Sequence, residues 1–445
     1  MASRDTSRKL RVAICGGGIG GLCLAVMLSK CSHLDVQLYE SAGQFKEIGA
    51  GVMIWSRTWR ILEDMGLESE FAKIAHAPPT GEMGIGFDYR RSDRPQEGFR
   101  FKLVEMPYGC IRFHRADFLD VFINALPPGI VNFGKRLVSY SHQAIPFSTP
   151  HQPISLQFAN GSTSACDLLI GADGIRSKVR AQMYREAAKA RGEPGLLDHI
   201  NPVWTGTIAY RGLVRAGDIP RKEDGTLHQT IERPMMYCGR SKHVVSYSIS
   251  QGGIVNVVTF ASQPERYGEP YQEDWVVYCD KQELLDCYAG WEPEVKQLLN
   301  CIEHPTKWAI HHLLPLPFYH WNGIVLLGDA VHAMAPHQGA GAGQAIEDAF
   351  ILARLLSKAM HPTRDGLSAL LKAYEAVRLP AANGVLGGSY ESGRMYEFDD
   401  SRYGEDYDRL GPAIERQWDW IDEVPLEQEV ETAFRIARKE GPCLL

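Results

Sequence analysis

The chain has 445 residues, 44% of them hydrophobic and 23% charged. That is ample for a sizeable core, too balanced for intrinsic disorder, and long enough for about two or three domains. A formal net charge of −7 argues against a nucleic-acid partner. Residues 1–10 lack the apolar centre of an export signal, and the longest apolar run, near residues 19–28, is too short for a membrane span. With 10 cysteines and no CxxC pair, the chain reads as a cytoplasmic protein with reduced thiols and no metal cluster.

In chain order, residues 12–15 form a short apolar run, suited to a buried parallel strand. Gly16-Gly17-Gly18-Ile19-Gly20-Gly21 follows at once, and Ile19, Leu22, Val26 and Met27 recur at helical spacing. Leu34–Tyr39 reads as a second strand and ends at Glu40. Strand, glycine turn, helix, strand and acid make the pattern of a dinucleotide site. Gly16 permits the tight turn, Gly18 leaves room for a pyrophosphate, and Gly21 lets helix and strand lie close. The free N–H groups at the helix start favour phosphate, and Glu40 can accept hydrogen bonds from a ribose.

Residues 47–53 form a glycine-bearing loop containing Gly51 and Met53, whose small residues let backbone lie against a flat ligand. Residues 55–65 read as a helix. Residues 77–100 mix proline, glycine and charges without a clear period, and read as an excursion out of the nucleotide domain. A helix opens at His114 and runs to about residue 126; Arg115, near its start, is either a solvated side chain or an anion contact. Ile154–Phe158 and residues 167–170 are strand-like, and the second runs into Ala172-Asp173-Gly174. That turn lies at the carboxyl end of a strand, where ligands sit in open α/β sheets; an ordinary Asp-Gly turn is the alternative. Residues 187–200 read as a polar connector.

After residue 205 the texture becomes β. Residues 205–214, 235–238, 243–250 and 254–260 are rich in Val, Ile, Tyr and Thr and predict a separate, mostly antiparallel sheet. Side chains alternate, so Thr207, Ala209, Arg211 and Leu213 share one face, and His243, Val245, Tyr247 and Ile249 share another. An Arg and a Tyr on otherwise small or apolar faces suit a pocket for an anionic aromatic. A buried ion pair and a core tyrosine are the other reading. Residues 278–299 look helical and acidic. His311-His312 has no third ligand at metal spacing and reads as a strand end or loop. Residues 324–327 predict a short buried strand ended by Gly328-Asp329, followed by His332, His337, the small-residue run 339–343 and a helix over 344–356. Asp329 can bind a polyol hydroxyl, and Gly341 and Ala342 lie where backbone amides can face a flat, electron-poor ring. Beyond residue 378, the acidic stretch 397–408 reads as a solvated loop. Residues 418–421 either pack on the nucleotide domain or form a dimer contact.

Gly16-x-Gly18-x-x-Gly21, Ala172-Asp173-Gly174 and Gly328-Asp329, in that order, resemble the fingerprints of FAD-dependent aromatic hydroxylases of the p-hydroxybenzoate hydroxylase fold. His114-Arg-Ala-Asp-Phe, Ala209-Tyr-Arg-Gly and Pro336-His-Gln-Gly-Ala-Gly-Ala-Gly-Gln are similar to the salicylate hydroxylase branch, and fungal phenol-dearomatising hydroxylases are similar too. The resemblance implies an α/β fold in which a Rossmann-like FAD domain of discontinuous segments carries an inserted, mainly antiparallel β-sheet substrate domain and a helical C-terminal tail. The FAD domain is expected from residues 1–76, 104–182 and 306–377, the substrate domain from 77–103 and 183–305, and the tail from 378–445. It implies FAD as cofactor, NADH or NADPH and O2 as co-substrates, a small phenolic substrate, and allows a homodimer.

By the same resemblance, Glu40 binds the adenosine ribose, Gly51 and Met53 border the flavin, and Arg115 touches the cofactor. Asp173 sits near the pyrophosphate, Asp329 binds the ribityl chain, and Gly341 and Ala342 lie at the ring. Arg211 and Tyr247 hold and activate the phenol, with His243 orienting it or relaying a proton and His337 near the glycine-rich run. Tyr247 departs from the salicylate branch, which tends to carry Phe there, and Gln338 departs from the dearomatising branch, which tends to carry His. The expected reaction is hydroxylation of a hydroxybenzoate-like phenol, with or without loss of the carboxylate. A dearomatising or ring-hydroxylating enzyme of secondary metabolism is one alternative, and a non-hydroxylating FAD protein or NAD(P)H oxidase another.

Overall fold

A computed structural model describes residues 9–45, 51–143, 153–222, 224–360 and 363–440. Of the loop 47–53, residues 47–50 lie outside the described residues.

The apolar run at the start becomes the strand Leu10–Cys15, flanked in parallel by Leu34–Tyr39 and Leu168–Gly171. Val131–Asn132 extends the sheet on one side. Ile324–Leu326 and its antiparallel partner His320–Trp321 extend it on the other, giving six strands. The chain leaves the first strand through Gly16, at φ +116°, where a Cβ would lie 2.1 Å from the Ala172 carbonyl oxygen. Only glycine fits between these two strand ends. The helix Ile19–Ser29 is apolar on nearly every side and buried. It lies against the sheet and against the helix Gly341–Ser357, with Gly20 opposite Leu327 and Ala345.

A second sheet has eight strands, in the order Val276–Tyr278, Thr306–His312, Val203–Arg215, Ile254–Ser262, Lys242–Ile249, Met235–Gly239, Met83–Arg91 and Phe99–Pro107. All its pairings are antiparallel except Met235–Gly239 with Met83–Arg91. Its Val, Tyr and Ile residues alternate between two cores. Val244, Val257 and Tyr237 pack with the helices Lys281–Cys287 and Pro293–Asn300 on one face, while Met236, Val245, Val258 and Phe260 form the other. The α/β class and the inserted, mainly antiparallel sheet are as the sequence implies.

Several local readings change. The segment 77–100 contributes a strand, and a second begins at Phe99. Their alternation was hidden because the second face carries buried charge: Asp88 pairs with Arg100, and Arg90 lies 2.9 Å from Glu292. The connector 187–200 starts inside the helix Lys178–Arg191, and the helical stretch 278–299 is broken around Gly290-Trp291. The helix predicted over 344–356 starts earlier, at Gly341. A 33-residue helix, Arg364–Tyr396, runs through residue 378. The stretch 397–408 is not simply a solvated loop: Glu397 and Asp400 are each 3% exposed. Trp418 is buried rather than offered to a second copy, its ring 4.7 Å from that of Trp55 and stacked on Phe87.

Candidate active site

Four strand ends of the first sheet open onto one cleft of about 730 Å³. Gly16, Gly18 and Gly21 line it at one strand end, with Glu40 at the next. Asp173 and Asp329 follow at the neighbouring strand ends, and Arg115, Gly341 and Ala342 close the far side. Glu40 is held ready by three donors: Gly17 N–H and Ala42 N–H, each at 2.8 Å, and the Ser41 hydroxyl at 3.1 Å. Asp173 accepts from the Ser177 hydroxyl at 2.5 Å and from the N–H groups of Lys178 at 2.7 Å and Val179 at 3.2 Å, so it also caps the following helix. Burial raises its pKa against those bonds. Asp329 faces solvent in the cleft, beside Gly328, whose N–H donates to Asp348 Oδ2 at 2.9 Å. Asp348 also takes a bond from His332 Nε2 at 2.5 Å and from Arg378 Nε at 2.9 Å. Burial alone would raise it, but His332 and Arg378 outweigh burial and hold the carboxylate below its ordinary range.

These residues fit an adenine dinucleotide. A Cβ built on Gly18 or Gly341 meets nothing within 4 Å, so both backbone faces are open to the cleft. Lys135, Arg136, Arg176 and Lys178 line its walls, cations suited to a pyrophosphate. Glu40 stands beside the glycine turn, where a ribose would need an acceptor.

A second, smaller cavity of about 170 Å³ adjoins the cleft and shares Arg115, Gly341 and Ala342 with it. One wall is the large sheet. Cross-strand partners share a face, and the register sets three rows on this one: Ala209, Phe260 and His243; Arg211, Val258 and Val245; Leu213, Asn256 and Tyr247. Gly51 and Met53 form the facing wall. A Cβ on Gly51 would lie 2.7 Å from the Tyr247 hydroxyl, and Gly51 N–H donates to Asn256 Oδ1 at 3.1 Å. The third wall is the turn Pro336–Gln338, tied down by Trp55 Nε1–H donating to the Gln338 carbonyl at 3.2 Å and by Gln338 Nε2 to Ser392 at 3.0 Å.

Tyr247, His243 and His337 all line this cavity and are buried. Burial pushes the Tyr247 phenol up, although Arg211 and Arg112 oppose this. It lowers His337 well below the ordinary imidazole range. Arg211 is not at the cavity surface. It lies one strand beyond Val258 on the same face, half-buried, with its guanidinium 4.9 Å from the Trp308 ring centre. No carboxylate pairs with it among the described residues, and burial lowers its pKa. The reading of Arg211 as half of a buried ion pair is therefore set aside. His311 and His312 end the strand Thr306–His312. Among the described residues, no group of three or more His, Cys, Asp or Glu side chains could hold a metal ion, and no helix is long and apolar enough to cross a membrane.

Sequence reasoning missed two sets of residues here. Phe87, Met236, Val258 and Phe260 line the cavity but carry no chemical label in a sequence. Glu397, from the C-terminal stretch, places Oε1 2.9 Å from His243 Nδ1. Its acidic neighbours disguised it, and the buried face of the preceding long helix was the one signal available.

Comparison with known proteins agrees with this geometry. A family model described as an FAD binding domain matches residues 9–204 and 295–389. A salicylate hydroxylase of Pseudomonas putida is 39% identical over 430 residues, covering 95% of this chain and 94% of that protein. A 6-methylsalicylate 1-monooxygenase of Aspergillus terreus is 34% identical over 437 residues, covering 97% and 93%. A solved salicylate hydroxylase substrate complex superposes with a TM-score of 0.83 at 34% identity, covering 96% of this chain and 98% of that one. The chain belongs to the FAD-dependent aromatic monooxygenases that include salicylate hydroxylase, with FAD as cofactor and NAD(P)H and O2 as co-substrates.

Proposed function

We propose that the substrate is a hydroxybenzoate of the salicylate type, bound as its phenolate in the inner cavity and hydroxylated at the carbon that bears the carboxylate, with release of carbon dioxide. The observation that carries this reading is the junction of the two cavities. The cleft that fits a dinucleotide ends at Arg115, Gly341 and Ala342, and the same three residues begin a small, apolar chamber suited to one substituted ring. Relatives named for salicylate and 6-methylsalicylate support the substrate class.

FAD, when bound, supplies the redox chemistry: it takes a hydride from NADH or NADPH and, once reduced, activates O2. The chain does the rest. Phe87, Met236, Val258 and Phe260 exclude water and hold the ring flat against the junction. The Tyr247 hydroxyl and His243 Nε2, the latter buried without a partner among the described residues, orient the substrate oxygens. Arg211, on the same face one strand beyond Val258, lowers the phenol's pKa through space and so keeps the ring electron-rich where oxygen is to be added. His337 shapes the wall beside the small-residue run.

Tyr247 beside Arg211 favours a second reading, a phenol without a carboxylate that is hydroxylated or dearomatised in secondary metabolism. The test is NAD(P)H oxidation by the purified yellow protein with salicylate, 4-hydroxybenzoate and a methylated resorcinol aldehyde, followed by product analysis. Salicylate-stimulated turnover yielding catechol and carbon dioxide is the expected result. Turnover of the aldehyde alone would overturn it in favour of the second reading. Hydrogen peroxide as the sole product with every phenol would point to an oxidase.

The proposal also divides the chain into an FAD-binding unit of residues 1–76, 104–182 and 306–377, a substrate unit of 77–103 and 183–305, and a C-terminal region from 378. It places the protein in the cytoplasm, a reading supported by free cysteines such as Cys15, Cys110 and Cys238. A homodimer belongs to the same proposal, on a surface other than the buried Trp418; sedimentation of the holoenzyme tests it.

A further inference from the structure

His243 and Glu397 meet in the wall of the inner cavity, both buried, with Nδ1 and Oε1 2.9 Å apart. The imidazole is stacked on Phe260, ring centres 4.4 Å apart, and stands edge-on to Tyr396. Its other nitrogen, Nε2, is buried without a hydrogen-bond partner, and the ring lines the cavity. Among the described residues His243 is the sole ion-pair partner of Glu397, and no lysine or arginine reaches it. The titratable groups that face the pair are His337, Tyr396, Asp399, Cys238, Tyr288 and Tyr390. None of them is a cation at neutral pH, and Asp399 adds charge of the wrong sign to stabilise a carboxylate.

A carboxyl taken out of water with no cation beside it keeps its proton. It is then a donor: the Ser262 hydroxyl bonds the same carboxyl and opposes the rise without cancelling it, and Oε1 faces His243 Nδ1. A neutral imidazole that accepts at Nδ1 carries its own proton at Nε2.

Building on the proposed function, we propose that Glu397 is a positioning residue: its carboxyl proton, donated to Nδ1, fixes His243 as an Nε2–H donor aimed into the cavity. The site so built selects an anionic oxygen on the substrate, a phenolate or a carboxylate, rather than a neutral hydroxyl waiting to be deprotonated. Burial supports the same protonation, lifting Glu397 to about 8 and lowering His243 to about 3. Once the pH exceeds the Glu397 value, the carboxyl loses its proton and the imidazole proton moves to Nδ1 to face the carboxylate. Nε2 then presents a lone pair to the anion. Binding of anions weakens with rising pH, and binding of neutral ligands does not.

The experiment titrates the FAD-loaded protein with benzoate and with benzamide across neutral to alkaline pH, reading the perturbation of the flavin spectrum. The dissociation constant of benzoate is expected to climb several-fold as the pH passes about 8, while that of benzamide stays level. In Glu397→Gln the amide N–H donates to Nδ1 at every pH, so the benzoate curve flattens. In Glu397→Ala benzoate binds weakly throughout. A level benzoate curve in the unaltered protein overturns the proposal, and so does a Glu397→Gln curve that keeps the alkaline rise. The titration needs no turnover. A benzoate curve that climbs while no phenol is hydroxylated would sink the substrate reading and leave this one standing. Should Glu397→Gln fail to hold FAD, the benzoate and benzamide curves of the unaltered protein decide.

Discussion

Gly51 and Tyr247 meet where one missing methyl group decides the shape of the inner cavity. Gly51→Ala would drive a Cβ into the Tyr247 ring and the Asn256 amide. Overpacking of this kind costs about 1–3 kcal/mol, and the facing strand must move outward. A lower melting temperature and a raised KM for the phenol are expected, measured by thermal unfolding and initial rates. Arg211 makes a different prediction because it stands beside the cavity, on the same face of the sheet, and lines neither the cavity nor the cleft. Arg211→Ala should slow phenol-stimulated NAD(P)H oxidation by about 10²-fold, the scale of one lost electrostatic stabiliser, while flavin content is unchanged. Arg211→Lys should recover part of the rate, since charge rather than a paired geometry is what the site asks of this residue. Loss of bound flavin in Arg211→Ala would place the residue in the cofactor site instead. His243 and Tyr247 were legible as a pair because alternate residues of one strand share a face, and Arg211, on another strand, was joined to them by the resemblance. Glu397 was not, because a buried acid among exposed acids looks the same in sequence.

At the scale of elements, the sheet and its glycine junctions were readable because backbone geometry dictates residue type there: β-branched runs for strands, glycine where a Cβ has no room. The strands Met83–Arg91 and Phe99–Pro107 were harder, since Asp88 and Arg90 are charged yet buried, and what stabilises them is Arg100 across the hairpin and Glu292 far along the chain. The closure of the site was not legible at all. It depends on the long helix and the Trp418 segment folding back over residues that precede them by more than 300 positions. Trp418→Ala should cost about 3–5 kcal/mol as a large-to-small core change. By loosening the packing around Trp55 it should also admit water, so a larger share of the NAD(P)H consumed appears as hydrogen peroxide. Stability lost with no rise in peroxide would mean that this packing does not govern water. The helix Gly341–Ser357 is held from behind by Arg378, which spans Asp348, Glu347 at 3.0 Å and Gln344 at 2.6 Å. Removing it in Arg378→Ala leaves Asp348 to His332 and Glu347 to Arg57, each buried carboxylate having lost one of its cations, at about 3–5 kcal/mol. Because Asp348 also fixes Gly328, FAD affinity should fall with stability, measured by flavin release on dilution.

For the whole molecule, buried imidazoles set the response to acid. Burial lowers His76, His312 and His320 to about 4, and His337 well below the ordinary 6.5. Below pH 6.5 the unfolded chain binds protons that the folded chain refuses, so stability falls as pH drops and is recovered in full above it. His243 and Glu397 act in opposite senses between pH 4.5 and 6.5 and offset one another there, which leaves the acid slope to these four and to His142, His199, His228 and His311, which burial also lowers. The melting temperature should therefore fall steadily from pH 6.5 toward 4. A flat profile over that range would show that these rings are protonated in the folded state.

Among the described residues only Arg115, Gly341 and Ala342 belong to both cavities, and this has a consequence for how such an enzyme can change its diet. The rows of the large sheet can be rewritten one side chain at a time, trading Val, Phe or Met for other shapes, while the dinucleotide cleft feels nothing. Lineages that share the cleft are then free to diverge in the aromatic they consume, and a designer seeking a new substrate would mutate the sheet and leave those three residues alone.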